Sequence, residues 1–167
     1  MSEQANAIAK KAELQLEFEK VEKSFKLQGI RTLEQILSTG EAKKSEGFDD
    51  KYHFAHWWME QISKQSGACH YCEVQFADIK ELIDAKFLRE RKTGYGYRGI
   101  PPEIDRLDSI AAKNVYSPSN CVLACYYCNN DKSNIYPAKL FKKYLGPARK
   151  ALVEGLLLEL RTENKAA

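Results

Sequence analysis

The residues of this 167-residue chain best able to do chemistry are its five cysteines, four of which are paired. Cys69-His70-Tyr71-Cys72 and Cys125-Tyr126-Tyr127-Cys128 are two Cys-x-x-Cys units with 52 residues between them. Two intervening residues let both thiolates turn toward one ion while backbone amides support the sulfurs. Two such knuckles complete a tetrahedral zinc site with Zn–S bonds of about 2.3 Å. A single Cys-x-x-Cys suits redox exchange equally well. The second unit makes a closed structural zinc site the expected reading, with buried thiols or one redox pair as the alternative. His70 lies inside a knuckle, but four thiolates already suffice. Cys121, four residues before Cys125, is expected in the core.

Between and after the knuckles stands a second group of polar residues. Ile104-Asp105-Arg106-Leu107-Asp108 is followed by Ser119-Asn120-Cys121-Val122-Leu123-Ala124-Cys125, and then by Cys128-Asn129-Asn130-Asp131-Lys132. Taken singly, Asp108 and Asn120 suit a hairpin connection and Asn129 a helix cap. Upstream, Lys86, Arg89, Arg91, Lys92 and Arg98 fall within thirteen residues that contain one acid, Glu90, with Tyr95 and Tyr97 interleaved among glycines. A basic loop with aromatic side chains can follow a phosphate backbone and stack on bases. Lys132, one turn beyond Asn129, is a further candidate phosphate contact.

The order of these motifs resembles the HNH endonuclease family, in its zinc-knuckle form with a ββα-metal fold. The resemblance covers about residues 69–132. It implies that Asp105 and Asn129 hold a catalytic divalent ion, Mg2+ or Mn2+, for which hard oxygen ligands are suited. It implies that Asn120 fixes the connecting loop. Such an ion stabilises the developing charge on a scissile phosphate. The family's general-base histidine is replaced here by Arg106, which stays protonated and cannot accept a proton from water. Arg106 is then a phosphate clamp. The base is Asp108, a metal-bound hydroxide, or one of His53, His56 and His70. A chain that binds nucleic acid without cutting it is the competing outcome. The implied substrate is DNA, with RNA as the alternative, and phage or bacterial defence is among the roles such a site serves. Nothing resembles a helix-turn-helix or a tandem finger array, so limited sequence specificity is expected.

These residues need elements to position them. Apolar spacing predicts helices over 2–28, 32–39, about 50–64 (with Asp49 or Asp50 as cap) and 78–91. The stretch 93–102, rich in glycine and proline, is expected as a loop. Residues 103–107 and 121–124 alternate as a short antiparallel pair joined through 114–120. Helices follow over 125–134, 137–145 and 147–161, the last two with proline in the first turn. The expected fold is α+β and mostly helical: a small ββα-metal hairpin-helix core with a four-cysteine zinc site, flanked by N- and C-terminal helices. In segments, 1–66 is a helical extension packed on the body, 67–136 the nuclease-like core and 137–167 the C-terminal helices, together one globular unit. Leu14, Phe18, Val21 and Phe25 form an apolar stripe on the first helix. It is expected to pack on the body, with contact to a second copy or another protein as the alternative.

Composition narrows the class. Hydrophobic residues make up 44% and charged residues 29%, which excludes collagen-like and fully disordered chains. The net charge of +3 hides an asymmetry: residues 1–60 carry 9 basic and 11 acidic groups, residues 61–167 carry 17 and 12. A polyanion should therefore meet the second part. No signal-peptide pattern opens the chain, and the apolar run 151–160 is interrupted by Glu154, Gly155 and Glu159. A cytoplasmic or nucleoid-associated protein that neither is secreted nor enters a membrane is expected.

Overall fold

The computed structural model describes residues 51–93, 96–100, 102–109 and 115–166, with Phe48 and eight positions between Ala9 and Lys23. Those eight positions are helical and exposed. The stripe of Leu14, Phe18, Val21 and Phe25, the helix expected over 32–39 and the caps Asp49 and Asp50 lie outside the described residues.

Helix α1 (Lys51–Lys64) buries Phe54, Ala55, Trp57 and Trp58. Phe48 packs edge-on against Phe54 and Trp57 with ring centroids 5.1 and 5.3 Å apart. The helix stops where Ser66 and Gly67 take positive φ, and the Gly67 amide closes back on the Ile62 carbonyl at 2.9 Å. The first knuckle follows as a tight turn, with Cys69 N–H donating to the Val74 carbonyl and Glu73 N–H to the Cys69 carbonyl, both at 2.9 Å.

Helix α2 (Phe76–Asp84) buries Phe76, Ile79, Leu82 and Ile83, the three- and four-residue spacing of one helical face. It ends earlier than its apolar pattern predicts. Lys86 sits at φ +68 and Leu88 N–H turns back to the Leu82 carbonyl, so Phe87 and Leu88 reach the core without continuing the helix. Strands β1 (Arg91–Thr93) and β2 (Gly96–Arg98) then pair antiparallel, Arg91 opposite Arg98 and Lys92 opposite Tyr97. Sequence reading expects a loop here; three-residue strands are too short to show a period of two.

The hairpin of β3 (Glu103–Arg106) and β4 (Cys121–Ala124) is antiparallel, with Glu103 opposite Ala124 and Arg106 opposite Cys121. All four β4 residues are buried. The free edge of β4 is covered at Leu123: its N–H donates to Gln65 Oε1 at 3.0 Å, and its carbonyl accepts from Gln65 Nε2 at 2.8 Å and from His70 N–H at 2.9 Å. Gln65 thus serves as a stand-in strand partner and locks the end of α1 to the hairpin. Helix α3 (Tyr126–Lys132) follows β4 directly and stops at Ser133, whose φ of +46 ends it before the expected 134.

The C-terminal part is one helical run rather than two helices. Helix α4 (Ala138–Leu140), a π-helical segment (Phe141–Leu145) and helix α5 (Gly146–Ala166) succeed one another without a break. Pro147 lies inside this run and cannot supply the N–H of a regular helical turn, and the π-helical segment closely precedes it. Val153, Leu157 and Leu160 turn inward from α5, which packs against α2. The architecture is therefore α+β and mostly helical around a ββα unit, as the sequence predicts. Among the described residues, no helix is long and apolar enough to cross a membrane.

Gly146 carries a prediction. Its φ of −55° suits any residue in a helix, and alanine there would gain about 1 kcal/mol of helix propensity. A Cβ at this position would overlap the Tyr71 carbonyl oxygen, in the backbone of the first knuckle. The clash outweighs the propensity, so Gly146→Ala is expected to cost about 1–3 kcal/mol, the range for overpacking. A melting temperature at or above wild type would contradict this.

Candidate active site

The four paired cysteines converge. The sulfurs of Cys69, Cys72, Cys125 and Cys128 all lie within 4.8 Å of one another, and all four residues are buried. A tetrahedral ion with Zn–S bonds of about 2.3 Å has sulfurs about 3.8 Å apart, so the cluster matches a closed site in size. The backbone is also arranged for thiolates: Cys125 N–H points at Cys69 Sγ at 3.3 Å and Cys128 N–H at Cys125 Sγ at 3.4 Å. The Cys69 thiol is held well below the usual thiol range, chiefly by hydrogen bonding from Cys125, then from Cys128 and Cys72. This is the ligand set a structural zinc needs. Cys121 is buried outside the cluster, and burial pushes its thiol up to about 12.

The hairpin and α3 bring the polar constellation together. The alternation of β3 turns Glu103 and Asp105 inward, and both are buried. One helical turn separates Asn129 from Lys132 on the face of α3 that meets β3. The Asp105 carboxylate accepts a hydrogen bond from the Tyr71 hydroxyl at 2.5 Å, and Lys132 Nζ lies 3.1 Å from Oδ2 and 3.4 Å from Oδ1. Lys132 is fully buried and also donates to the Arg106 carbonyl at 2.9 Å and the Ser133 carbonyl at 3.2 Å. Its three donors are thereby committed inside the fold. The phosphate contact expected of Lys132 is excluded in this arrangement, because the ammonium is the internal counterion of Asp105. Burial raises the Asp105 carboxyl above the ordinary carboxylate range, against the pull of the Tyr71 hydrogen bond and the Lys132 charge. Tyr71 is pushed up in turn, first by burial and then by the Asp105 charge.

A second network lies alongside. Arg98 grips Glu103 with Nε–Oε1 at 3.0 Å and Nη2–Oε2 at 2.5 Å, while its guanidinium rests 5.0 Å from the centroid of the Tyr126 ring. Asn129 Nδ2 donates to Glu103 Oε2 at 2.9 Å. Sequence reading overlooks Glu103 and Tyr71. The signal for Glu103 was present, since an acid two residues before Asp105 on a strand shares its face.

Asn120 spans its own connection: Oδ1 accepts from Asp108 N–H at 2.8 Å, and Nδ2 donates to the carbonyls of Asp108 at 3.0 Å and Val115 at 2.9 Å. Asp108 is exposed just past β3. Arg106 is half-buried, its guanidinium 4.7 Å from the centroid of the Tyr116 ring. His53 and His56 are exposed on α1, with His56 beside Glu60. His70 lines a cavity of about 350 Å³ with Leu107, Ala138, Lys139 and Lys142. Burial, then the Lys142 charge, lowers its pKa, so the imidazole keeps an acceptor nitrogen at neutral pH.

Lys86, Arg89, Arg91, Lys92 and Tyr97 are exposed on the α2–β1 connection and the β1–β2 hairpin. Arg98 turns inward to Glu103, and Tyr95 lies outside the described residues. The hairpin is tied to α3 through Arg91 Nη1 on Asn130 Oδ1 at 3.4 Å and the Tyr127 hydroxyl on the Arg89 carbonyl at 3.2 Å.

A ββα unit braced by paired cysteine knuckles defines a class, and comparison with known proteins agrees. The rare-cutting HNH restriction endonuclease PacI is similar in structure, with a TM-score of 0.50 and 30% sequence identity over 66% of this chain and 68% of PacI. No protein-family model and no curated protein matches the sequence significantly. The chain belongs to the HNH endonuclease family.

Proposed function

We propose that this chain is a divalent-cation-dependent endonuclease that hydrolyses phosphodiester bonds in DNA. One observation carries the reading: in a chain of the HNH family, the buried carboxylate Asp105 lies on the strand that Asn129 of α3 grips through Glu103 and the Ile104 carbonyl. Their chemistry fits a hard cation. A cation there would share Asp105 with Lys132, 3.1 Å from Oδ2 and 3.4 Å from Oδ1, and would meet the more loosely held Oδ1; the hydrogen bonds of Asn129 run through Nδ2, leaving its carbonyl oxygen as a ligand atom. Mg2+ or Mn2+ bound there would supply charge stabilisation to the scissile phosphate.

The rest is the work of the chain's own residues. Tyr71 and Lys132 hold the Asp105 carboxylate in place. Asn120 fixes the turn that carries Asp108. Arg106 contacts a phosphate oxygen, and Lys86, Arg89, Arg91, Lys92 and Tyr97 follow the strand. His70 and Asp108 are the side chains available to take a proton from water. Zinc on Cys69, Cys72, Cys125 and Cys128 is structural and takes no part in the reaction. PacI, a DNA-perturbing restriction enzyme, supports DNA over RNA as substrate.

The test is cleavage of supercoiled plasmid with Mg2+ or Mn2+. Asp105→Asn and Asn129→Ala are each expected to lower the rate by about 10²–10³, the scale for losing one charge-stabilising group, with thermal melting of each variant alongside because Asp105→Asn also leaves the buried Lys132 without its counterion. Salt-sensitive DNA binding without cleavage by pure wild-type protein would instead select a non-catalytic zinc-stabilised binding module.

A further inference from the structure

We infer that Glu103 is a positioning residue that decides which end of the Asn129 amide is offered to a divalent cation; the inference rests on the nuclease reading above. Asn129 has two nearly isosteric ends, and only the carbonyl oxygen can ligate a hard cation. Which end points where is set by its hydrogen-bond partners. Glu103 is buried, with 4% of its surface exposed, and its carboxylate can only accept. Asn129 Nδ2 meets Glu103 Oε2 at 2.9 Å, and the Ile104 carbonyl only at 3.5 Å, so the amide nitrogen is committed to β3 and Oδ1 is the end left over. A flipped amide would set oxygen against oxygen at that distance.

Glu103 is itself fixed. Both its oxygens are held by the Arg98 guanidinium, at 3.0 and 2.5 Å, in the fork geometry that leaves a carboxylate little freedom. Arg98 belongs to β2 of the exposed basic hairpin and also lies over Tyr126 at the start of α3. Arg98, Glu103 and Asn129 thus form one relay from the hairpin to the ligand atom.

The relay predicts an outcome that ligand chemistry alone does not. Aspartate is an even harder ligand than asparagine, so Asn129→Asp should preserve or strengthen cation binding if Asn129 acts by itself. If Glu103 orients it, the new carboxylate faces the Glu103 carboxylate at hydrogen-bond distance, and cation binding suffers. Removing the facing acceptor as well, Glu103→Ala with Asn129→Asp, lifts that repulsion and leaves the new carboxylate as a hard ligand.

The experiment titrates Mn2+ into zinc-loaded protein by calorimetry, with thermal melting and plasmid cleavage on the same samples. Asn129→Asp is expected to weaken Mn2+ binding by about 10–100-fold, the range for losing an outer partner of a ligand, and the double variant to recover most of it. Wild-type affinity in Asn129→Asp overturns the inference, as does failure of the double variant to improve on Asn129→Asp when both melt like wild type. Should Asn129→Asp not fold, Glu103→Ala alone decides. With its 2.9 Å acceptor gone, the amide of Asn129 is held only by the Ile104 carbonyl at 3.5 Å, so affinity falls severalfold if the inference holds, and unchanged affinity overturns it. If wild type cuts DNA but the double variant shows no recovery, the positioning role alone falls. If wild type neither binds Mn2+ nor cuts, the nuclease reading falls and takes this inference with it.

Discussion

Chelation of zinc is expected to abolish the cooperative thermal transition of this protein, and Cys128→Ser to do the same without a chelator. The four sulfurs lie within 4.8 Å at the centre of the fold. One pair sits on the turn between α1 and α2, the other at the junction of β4 and α3, so the ion would join two segments otherwise linked by packing and by the contacts of Gln65, His70 and Tyr71 with the hairpin. Apparent binding energies of structural zinc are about 10–16 kcal/mol. That equals or exceeds the whole stability of a typical domain, about 5–15 kcal/mol. Without the ion, four cysteine sulfurs remain buried within 4.8 Å of one another with nothing to bind them together. Melting followed by circular dichroism, with zinc content measured before and after treatment with the chelator, checks it. A zinc-free sample that melts with wild-type cooperativity would remove the structural role of the cluster.

The cysteine cluster was legible in the sequence because its information is local. Two residues between cysteines fix each knuckle, and the pairing of knuckles follows from there being two. The hairpin and the helix after it were legible for a similar reason, since period-two alternation and its switch to helical spacing occur within a few residues of Asp105 and Cys125. Lys132 was not. Its spacing from Asn129 shows which face of α3 it occupies, but not that β3 and Tyr71 close over that face. Tyr71 and Asp105 are 34 residues apart, and their contact arises only when the first knuckle docks on the hairpin. The C-terminal run misled the sequence reading for a packing reason. Gly146 and Pro147 look like a break, yet the glycine is there because the knuckle backbone passes too close for a side chain.

Lys132→Met is expected to destabilise the protein by about 3–5 kcal/mol, the cost of leaving one partner of a buried pair uncompensated. The pair is not a source of great stability in itself. Burial already raises the Asp105 carboxyl even with Lys132 beside it, so desolvation outweighs what the ammonium returns. Removing the ammonium removes the return and keeps the penalty. The same logic fixes the double variant. Asp105→Asn with Lys132→Met leaves no buried charge at this pair, and the carbonyl oxygen of the substituted amide can still accept from the Tyr71 hydroxyl, so most of the loss is recovered. Recovery stays incomplete because the carbonyls of Arg106 and Ser133 lose the donor that lies at 2.9 and 3.2 Å. The pH dependence has a definite sign. A carboxyl whose folded pKa is raised costs stability above that pKa, and the cost vanishes once pH falls below its unfolded value of about 3.9. The deficit of Lys132→Met relative to wild type should therefore shrink as pH falls from neutrality, although acid weakens both proteins by protonating the zinc thiolates. Urea unfolding of the four proteins of the cycle at neutral and mildly acidic pH measures all of this. A deficit that is constant with pH, or one that Asp105→Asn does not relieve, would show that Lys132 stabilises the fold by packing and not as the counterion of Asp105.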